Sequence, residues 1–134
     1  GLDGLDEISN VGRTVIAWLR EGEIRKLEVS PEDLNVRRAP VESLVCSNPK
    51  DSAEIIFKVL RGNLRPKDPR RDLVVINAAA GIIVGGKADN FAYGIDLAQE
   101  SIESGHAYEK LRELVRTYSK SNIGRLEELE EKYS

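Results

Sequence analysis

The run Leu73 to Val84 is apolar except for Asn77 and Gly81, and it limits the possible folds more than any other stretch. It falls short of the roughly 18 apolar residues of a membrane-spanning helix, so it reads as a buried helix. A helix that is apolar nearly all round needs neighbours on every side. Its start is marked by Asp68-Pro69. An aspartate oxygen can satisfy an orphan backbone N–H at the cap, and proline lacks the N–H that would be orphaned at the first helical position. Gly85-Gly86 marks its end, so the helix is predicted over about Pro69 to Val84.

The same punctuation organises the rest of the chain. Ser30-Pro31 opens only a short turn, Pro31 to Leu34. Asn48-Pro49 opens a helix to about Arg61, stopped by Gly62-Asn63, with Ala53, Ile56, Val59 and Leu60 on one face. A fourth helix is predicted from Asp89 to about Ser104, with Phe91, Ile95, Ala98 and Ile102 inward and Gly105 as its stop. A fifth spans about Ala107 to Tyr118 and uses Leu111, Leu114 and Val115. The tail from Ser121, with Leu126 and Leu129 among glutamates, reads as a short amphipathic helix or a frayed end. Upstream, residues 1–13 are glycine-rich and acidic and form a loop. Thr14 to Leu19 and Ile24 to Val29 flank Glu21-Gly22 as a β-hairpin. No repeat, low-complexity segment or internal domain boundary stands out. A hairpin is marginal alone, so the order of loop, hairpin and helices fits a piece of a larger α/β domain.

Composition excludes several classes. Among 134 residues, 20 are basic and 23 acidic, a net charge of −3, which gives no basic footprint for nucleic acid. The single cysteine, Cys46, cannot form an internal disulfide; in Leu44-Val45-Cys46 it is expected to be a small buried hydrophobe. With His106 as the only histidine, a His/Cys zinc site or a Cys-His dyad lacks partners. His106 is expected at the surface, Trp18 in the core, and Asn77 as a buried amide bonded to neighbouring backbone. No signal peptide is visible, because the first residues are acidic rather than basic and lack an apolar core, and no stretch is long enough for a membrane span, so a cytoplasmic location is the default expectation.

Asp6-Glu7 is the best candidate site. Adjacent carboxylates in a glycine-containing loop offer hard oxygen donors. Those suit Mg²⁺, which keeps several waters and takes one or two carboxylates plus substrate phosphates. A bare pair is also what a solvated loop looks like, and Glu32-Asp33 is another such pair. Asp3 adds a third acid nearby. Arg13 could approach a phosphate, but an exposed arginine is the commoner case.

The stretch Gly1-Leu2-Asp3-Gly4-Leu5-Asp6-Glu7-Ile8-Ser9, followed by Gly12 and Thr14, closely resembles the acidic metal-binding motif of anthranilate phosphoribosyltransferases. Four other stretches agree in order and spacing. They are Glu21-Gly22-Glu23-Ile24 with Pro31-Glu32-Asp33-Leu34; Asn77-Ala78-Ala79-Ala80; Gly94 with Leu97-Ala98; and Ser104-Gly105 with Ala107. The resemblance covers about residues 1–118. It implies an α/β fold, here a helix-rich fragment with a β-hairpin, belonging to the nucleoside phosphorylase/phosphoribosyltransferase catalytic domain. By the same resemblance residues 1–134 are a carboxy-terminal segment of that domain: metal-binding loop 1–13, hairpin 14–29, helices 49–118 and tail 119–134. The intact enzyme would transfer phosphoribose from phosphoribosyl pyrophosphate to anthranilate in tryptophan biosynthesis, with Asp6 and Glu7 binding Mg²⁺.

The departures from the family pattern carry as much information. Its glycine-rich phosphate loop, its Lys-His-Gly-Asn stretch and the arginine that holds anthranilate's carboxylate have no counterpart in this sequence. The expectation is therefore a chain inactive alone, completed by an amino-terminal portion or partner chain, and the resemblance implies a homodimer when complete. The competing readings are a nucleic-acid-binding module of the same fold group, which the acidic balance disfavours, and a structural module without transferase activity.

Overall fold

The structure, a computed structural model, describes residues 1–118 and 123–134. Two strands, β1 (Thr14–Arg20) and β2 (Glu23–Val29), precede five helices. These are α1 (Pro49–Leu60), α2 (Pro69–Val84), α3 (Phe91–Glu103), α4 (His106–Tyr118) and α5 (Ile123–Lys132). The proline-marked starts work as their chemistry requires. Asn48 Oδ1 accepts from the N–H groups of Lys50 and Asp51 at 2.9 and 3.0 Å. Asp68 Oδ1 accepts from Arg70 N at 3.0 Å. At Ser30 the bonding is reciprocal, Ser30 N donating to Asp33 Oδ2 at 2.8 Å and Asp33 N to Ser30 Oγ at 3.3 Å, but the 3₁₀ turn over Glu32–Leu34 has Pro31 rather than Ser30 as its cap residue. The stops are as specific. Gly62 and Gly86 take φ of 77° and 69°, and the next N–H reaches back to the helix, Asn63 to Lys58 O at 2.9 Å and Lys87 to Ile82 O at 3.0 Å. That pattern closes a helix whose terminal carbonyls would otherwise lack donors.

Two compact units emerge, each built from separated stretches of chain. The first comprises Gly1–Val45 and Pro66–Ala98. Its hairpin is antiparallel, with Thr14 opposite Val29, Ile16 opposite Leu27 and Arg20 opposite Glu23. The two turn residues, Glu21 and Gly22, both have positive φ, which matches the twist of a two-residue hairpin. Thr14, Ile16 and Trp18 face inward on β1, and Val15, Ala17 and Leu19 face out. Trp18 is half-buried, its ring edge-on to Phe91 at 6.2 Å. In α2, Val75, Ile76 and Ala79 are buried. Gly94 brings the start of α3 against α2 so closely that a Cβ there would lie 3.1 Å from Ala79 O. Val84 is 90 % exposed and Val74 is exposed too, so part of the apolar surface of α2 is left without neighbours within this chain, in keeping with a piece of a larger domain. An open groove of about 590 Å³ runs beside Trp18, Ala80, Ile83, Val84 and Phe91.

The second unit comprises Cys46–Arg65 and Gln99–Ser134. Phe57 is its centre, 1 % exposed, with Tyr108 edge-on at 5.6 Å and Tyr133 at 6.1 Å. Full burial of such a ring is worth about 1.5–3 kcal/mol. This corrects the predicted face of α1. Phe57 and Val59 point inward, while Ala53 and Ile56 are exposed, because the aromatic partners come from α4 and the chain end and approach from Phe57's side. Likewise Tyr108 is buried in α4 and Leu114 is exposed. Of the predicted face of α3, Ile95 and Ala98 in the first unit and Ile102 in the second are buried, and Phe91 is half-buried. The tail contains a true helix, α5; residues 119–122 of the predicted tail lie outside the described residues. Glu54 ties α1 to it, accepting from Lys132 Nζ and Lys58 Nζ at 3.0 Å each and from the Tyr133 hydroxyl. Cys46 is exposed rather than buried. The apolar run around it links a 3₁₀ turn to the cap of α1, and Val45 beside it is 69 % exposed. Among the described residues, no helix is long and apolar enough to cross a membrane.

Candidate metal-binding loop

The loop over residues 1–13 is held by its own short polar side chains. Asp3 Oδ1 accepts from Leu5 N at 3.0 Å, the turn that an Asp-Gly pair favours, and Gly4 takes a φ of 95°. The other Asp3 oxygen accepts from the Ser9 hydroxyl. Ser9 Oγ in turn accepts from Val11 N and Gly12 N at 2.9 and 3.2 Å, and Ser9 N donates to Thr14 Oγ1 at 3.0 Å. Leu2 N donates to Arg13 O at 2.7 Å, which closes the loop at its base. Burial pulls the Asp3 carboxyl upward, but the Ser9 hydroxyl and the Leu5 N–H outweigh it, and the group ends below its ordinary value.

Two asparagines fasten this loop to α2. Asn10, fully buried, donates from Nδ2 to Pro69 O at 2.8 Å. Asn77 reaches from the middle of α2: its Oδ1 accepts from Ile8 N at 3.0 Å and its Nδ2 donates to Ile8 O at 2.8 Å. The predicted bonding of Asn77 to neighbouring backbone is present as well, Nδ2 to Leu73 O at 2.9 Å. The link to Ile8, across 69 positions, has no signature in the sequence.

Asp6 and Glu7 differ from every other polar residue of this loop. Both are exposed, and neither carboxylate takes part in a hydrogen bond or ion pair with the described residues. Asp3 is nearby in sequence, separated from Asp6 by Gly4 and Leu5, yet its oxygens are spent on Leu5 and Ser9. Among the described residues no group of three or more His, Cys, Asp or Glu side chains could hold a metal. Two free carboxylates therefore fit a cation that takes only one or two protein oxygens and fills its shell from water and substrate, which is the habit of Mg²⁺. They do not suit a cation that needs a full protein cage. The other candidates stand aside. Arg13 pairs with Glu28 at 2.5 Å, and His106 is exposed beside the Ser104 hydroxyl. Trp18 lines the apolar groove, which neither Asp6 nor Glu7 lines.

Comparison with known proteins decides the family. The model described as "Glycosyl transferase family, a/b domain" matches residues 1–108. The chain belongs to this family. Curated family members similar to it include the anthranilate phosphoribosyltransferases of Methanobrevibacter smithii, 43 % identical over 86 % of this chain and 33 % of that protein, and Petrotoga mobilis, 41 % identical with the same coverage. The chain thus spans about a third of the length of the curated relatives it matches. Solved structures agree on the fold. The Saccharomyces cerevisiae anthranilate phosphoribosyltransferase in complex with PRPP and Mg superposes with a TM-score of 0.73 at 28 % identity, covering 84 % of this chain and 32 % of that one. The Thermus thermophilus enzyme gives 0.68 at 29 %, covering 79 % and 31 %. The helix-rich α/β architecture with its hairpin is accordingly that of the phosphoribosyltransferase/nucleoside phosphorylase fold.

Proposed function

We propose that this chain is the carboxy-terminal segment of the α/β domain of an anthranilate phosphoribosyltransferase, and that it contributes Asp6 and Glu7 as Mg²⁺ ligands. The observation that carries the reading is the contrast within one loop: Asp3 is saturated by Ser9 and Leu5, and Asp6 and Glu7 are left with unused oxygens. The curated relatives and a solved relative in complex with PRPP and Mg support it.

In phosphoribosyl transfer the pyrophosphate leaving group gains charge as its bond to the ribose breaks. Bound Mg²⁺ would neutralise charge on that group as it develops. The part of this chain is to present two carboxylates, from an ordered loop, that would hold the cation. The hydrogen bonds within the loop and to α2 set that position before substrate binds, which limits the ordering needed at the moment of reaction. The groups that would cradle the ribose phosphate and orient anthranilate's amine belong to the remaining two-thirds of the relatives' length.

The test is loss of anthranilate fluorescence with phosphoribosyl pyrophosphate and Mg²⁺. The chain is assayed alone, then mixed with the amino-terminal part of one of its relatives. Activity only in the mixture is expected. Turnover by the chain alone would refute its dependence on a second part. A silent mixture whose parts demonstrably associate would refute the transferase reading and favour a binding or structural module.

A further inference from the structure

Asn77 does something unusual for a side chain in an apolar helix. Its amide meets both backbone groups of a single residue, accepting from Ile8 N at 3.0 Å and donating to Ile8 O at 2.8 Å. It thereby imitates the edge of a neighbouring strand. The third bond, from Nδ2 to Leu73 O at 2.9 Å, lies within α2 itself and fixes the rotamer that presents the amide. Ile8 is 8 % exposed, so its N–H and C=O have little access to water. Leaving either unpaired costs on the order of 1–3 kcal/mol.

Few residues could replace it. Aspartate could accept from Ile8 N but would face Ile8 O without a donor. Leucine has similar bulk and offers neither group. The bracketed residue directly follows Asp6-Glu7. The backbone is thus held at Ile8 by α2, and the two unpartnered carboxylates emerge immediately before that hold.

We infer that Asn77 is a positioning residue for the cation site: by clamping Ile8 it fixes the direction in which Asp6 and Glu7 leave the loop. The inference rests on the proposed metal role of those two carboxylates. The clamp also has a readout of its own, which needs no metal.

The test uses nuclear magnetic resonance on the ¹⁵N-labelled 134-residue chain, comparing wild type with Asn77→Leu and Asn77→Asp. Amide exchange of Ile8 is measured without metal. Broadening of the Asp6 and Glu7 amide signals is then followed as Mn²⁺ is added. In Asn77→Leu, Ile8 exchange should speed up about tenfold or more, and Mn²⁺ affinity should fall about 10–100-fold, the usual loss when a group supporting a ligand is removed. Protection of Ile76 and Ala79 should hold. Asn77→Asp should keep part of the Ile8 protection, and it decides the matter if the leucine variant fails to fold. Unchanged Mn²⁺ binding in a variant that has lost Ile8 protection would overturn the positioning role and leave the metal reading intact. No Mn²⁺ binding in wild type would overturn the metal reading, and with it the positioning role. Ile8 protection unchanged in both variants would overturn the clamp itself.

Discussion

The two units use carboxylates in opposite ways. In the second, Glu54 is surrounded: Lys58 and Lys132 lie at 3.0 Å and the Tyr133 hydroxyl completes the set. The Tyr133 hydroxyl, then the two lysines, hold its carboxyl down to about 2. In the first, Asp6 and Glu7 stand exposed in a loop whose every other short polar side chain is engaged. A carboxylate that organises its own surroundings has done its work once the chain is folded. One that is held still and left unpaired is available to something else, and within that loop Asp3 shows the difference between neighbours.

The comparison breaks most readily at the loop. Asp6→Asn combined with Glu7→Gln should lower transferase activity of the reconstituted enzyme by about a hundredfold or more, the scale of losing stabilisation of developing charge. The unfolding midpoint of the chain should barely move, because neither carboxylate holds the fold. A loss of stability equal to the loss of activity would place these residues with Asp3 instead. Asp3→Asn should do the reverse. It weakens the bond from Ser9 and should cost about 1–2 kcal/mol of stability in urea unfolding, and activity should follow only as far as the loop loosens.

The smallest expected effect lies at Glu54. Its carboxyl titrates at about 2 in the fold against 4.5 in the unfolded chain. A depressed value means the contribution is complete above pH 4.5 and is lost as the pH falls toward about 2. Glu54→Gln should therefore lower the melting temperature modestly at pH 7 and make no difference near pH 2. A stability profile of the variant parallel to wild type across that acid window would remove Glu54 from the account.

Much of the fold was legible because its signals are local. A cap followed by proline specifies a helix start from two residues, and Gly62 and Gly86 specify stops, so α1 and α2 begin and end where predicted. Packing faces were less legible. The burial of Phe57 depends on Tyr108 and Tyr133, far along the chain, and no periodicity within α1 announces them. Cys46 departs from its expected burial for the converse reason: a short apolar run can be a link between elements as well as core. At the loop, Asp6-Glu7 was visible as a pair. The case proposed for it over a solvated pair rests on the engagement of its neighbours, above all the reach of Asn77 to Ile8, and that exists only in three dimensions.

Gly94 and Gly81 bear on how this chain can be improved by design. Replacing a helical glycine with alanine is a standard route to a sturdier protein, worth about 0.5–1 kcal/mol where there is room. Gly81 in α2 has that room, with nothing within 4 Å of an added methyl group. At Gly94 the same methyl would meet the backbone and Cβ of Ala79 between 3.1 and 3.3 Å, and overpacking of that kind costs about 1–3 kcal/mol. One rule applied to two glycines of one unit should therefore strengthen the protein at the first and weaken it at the second.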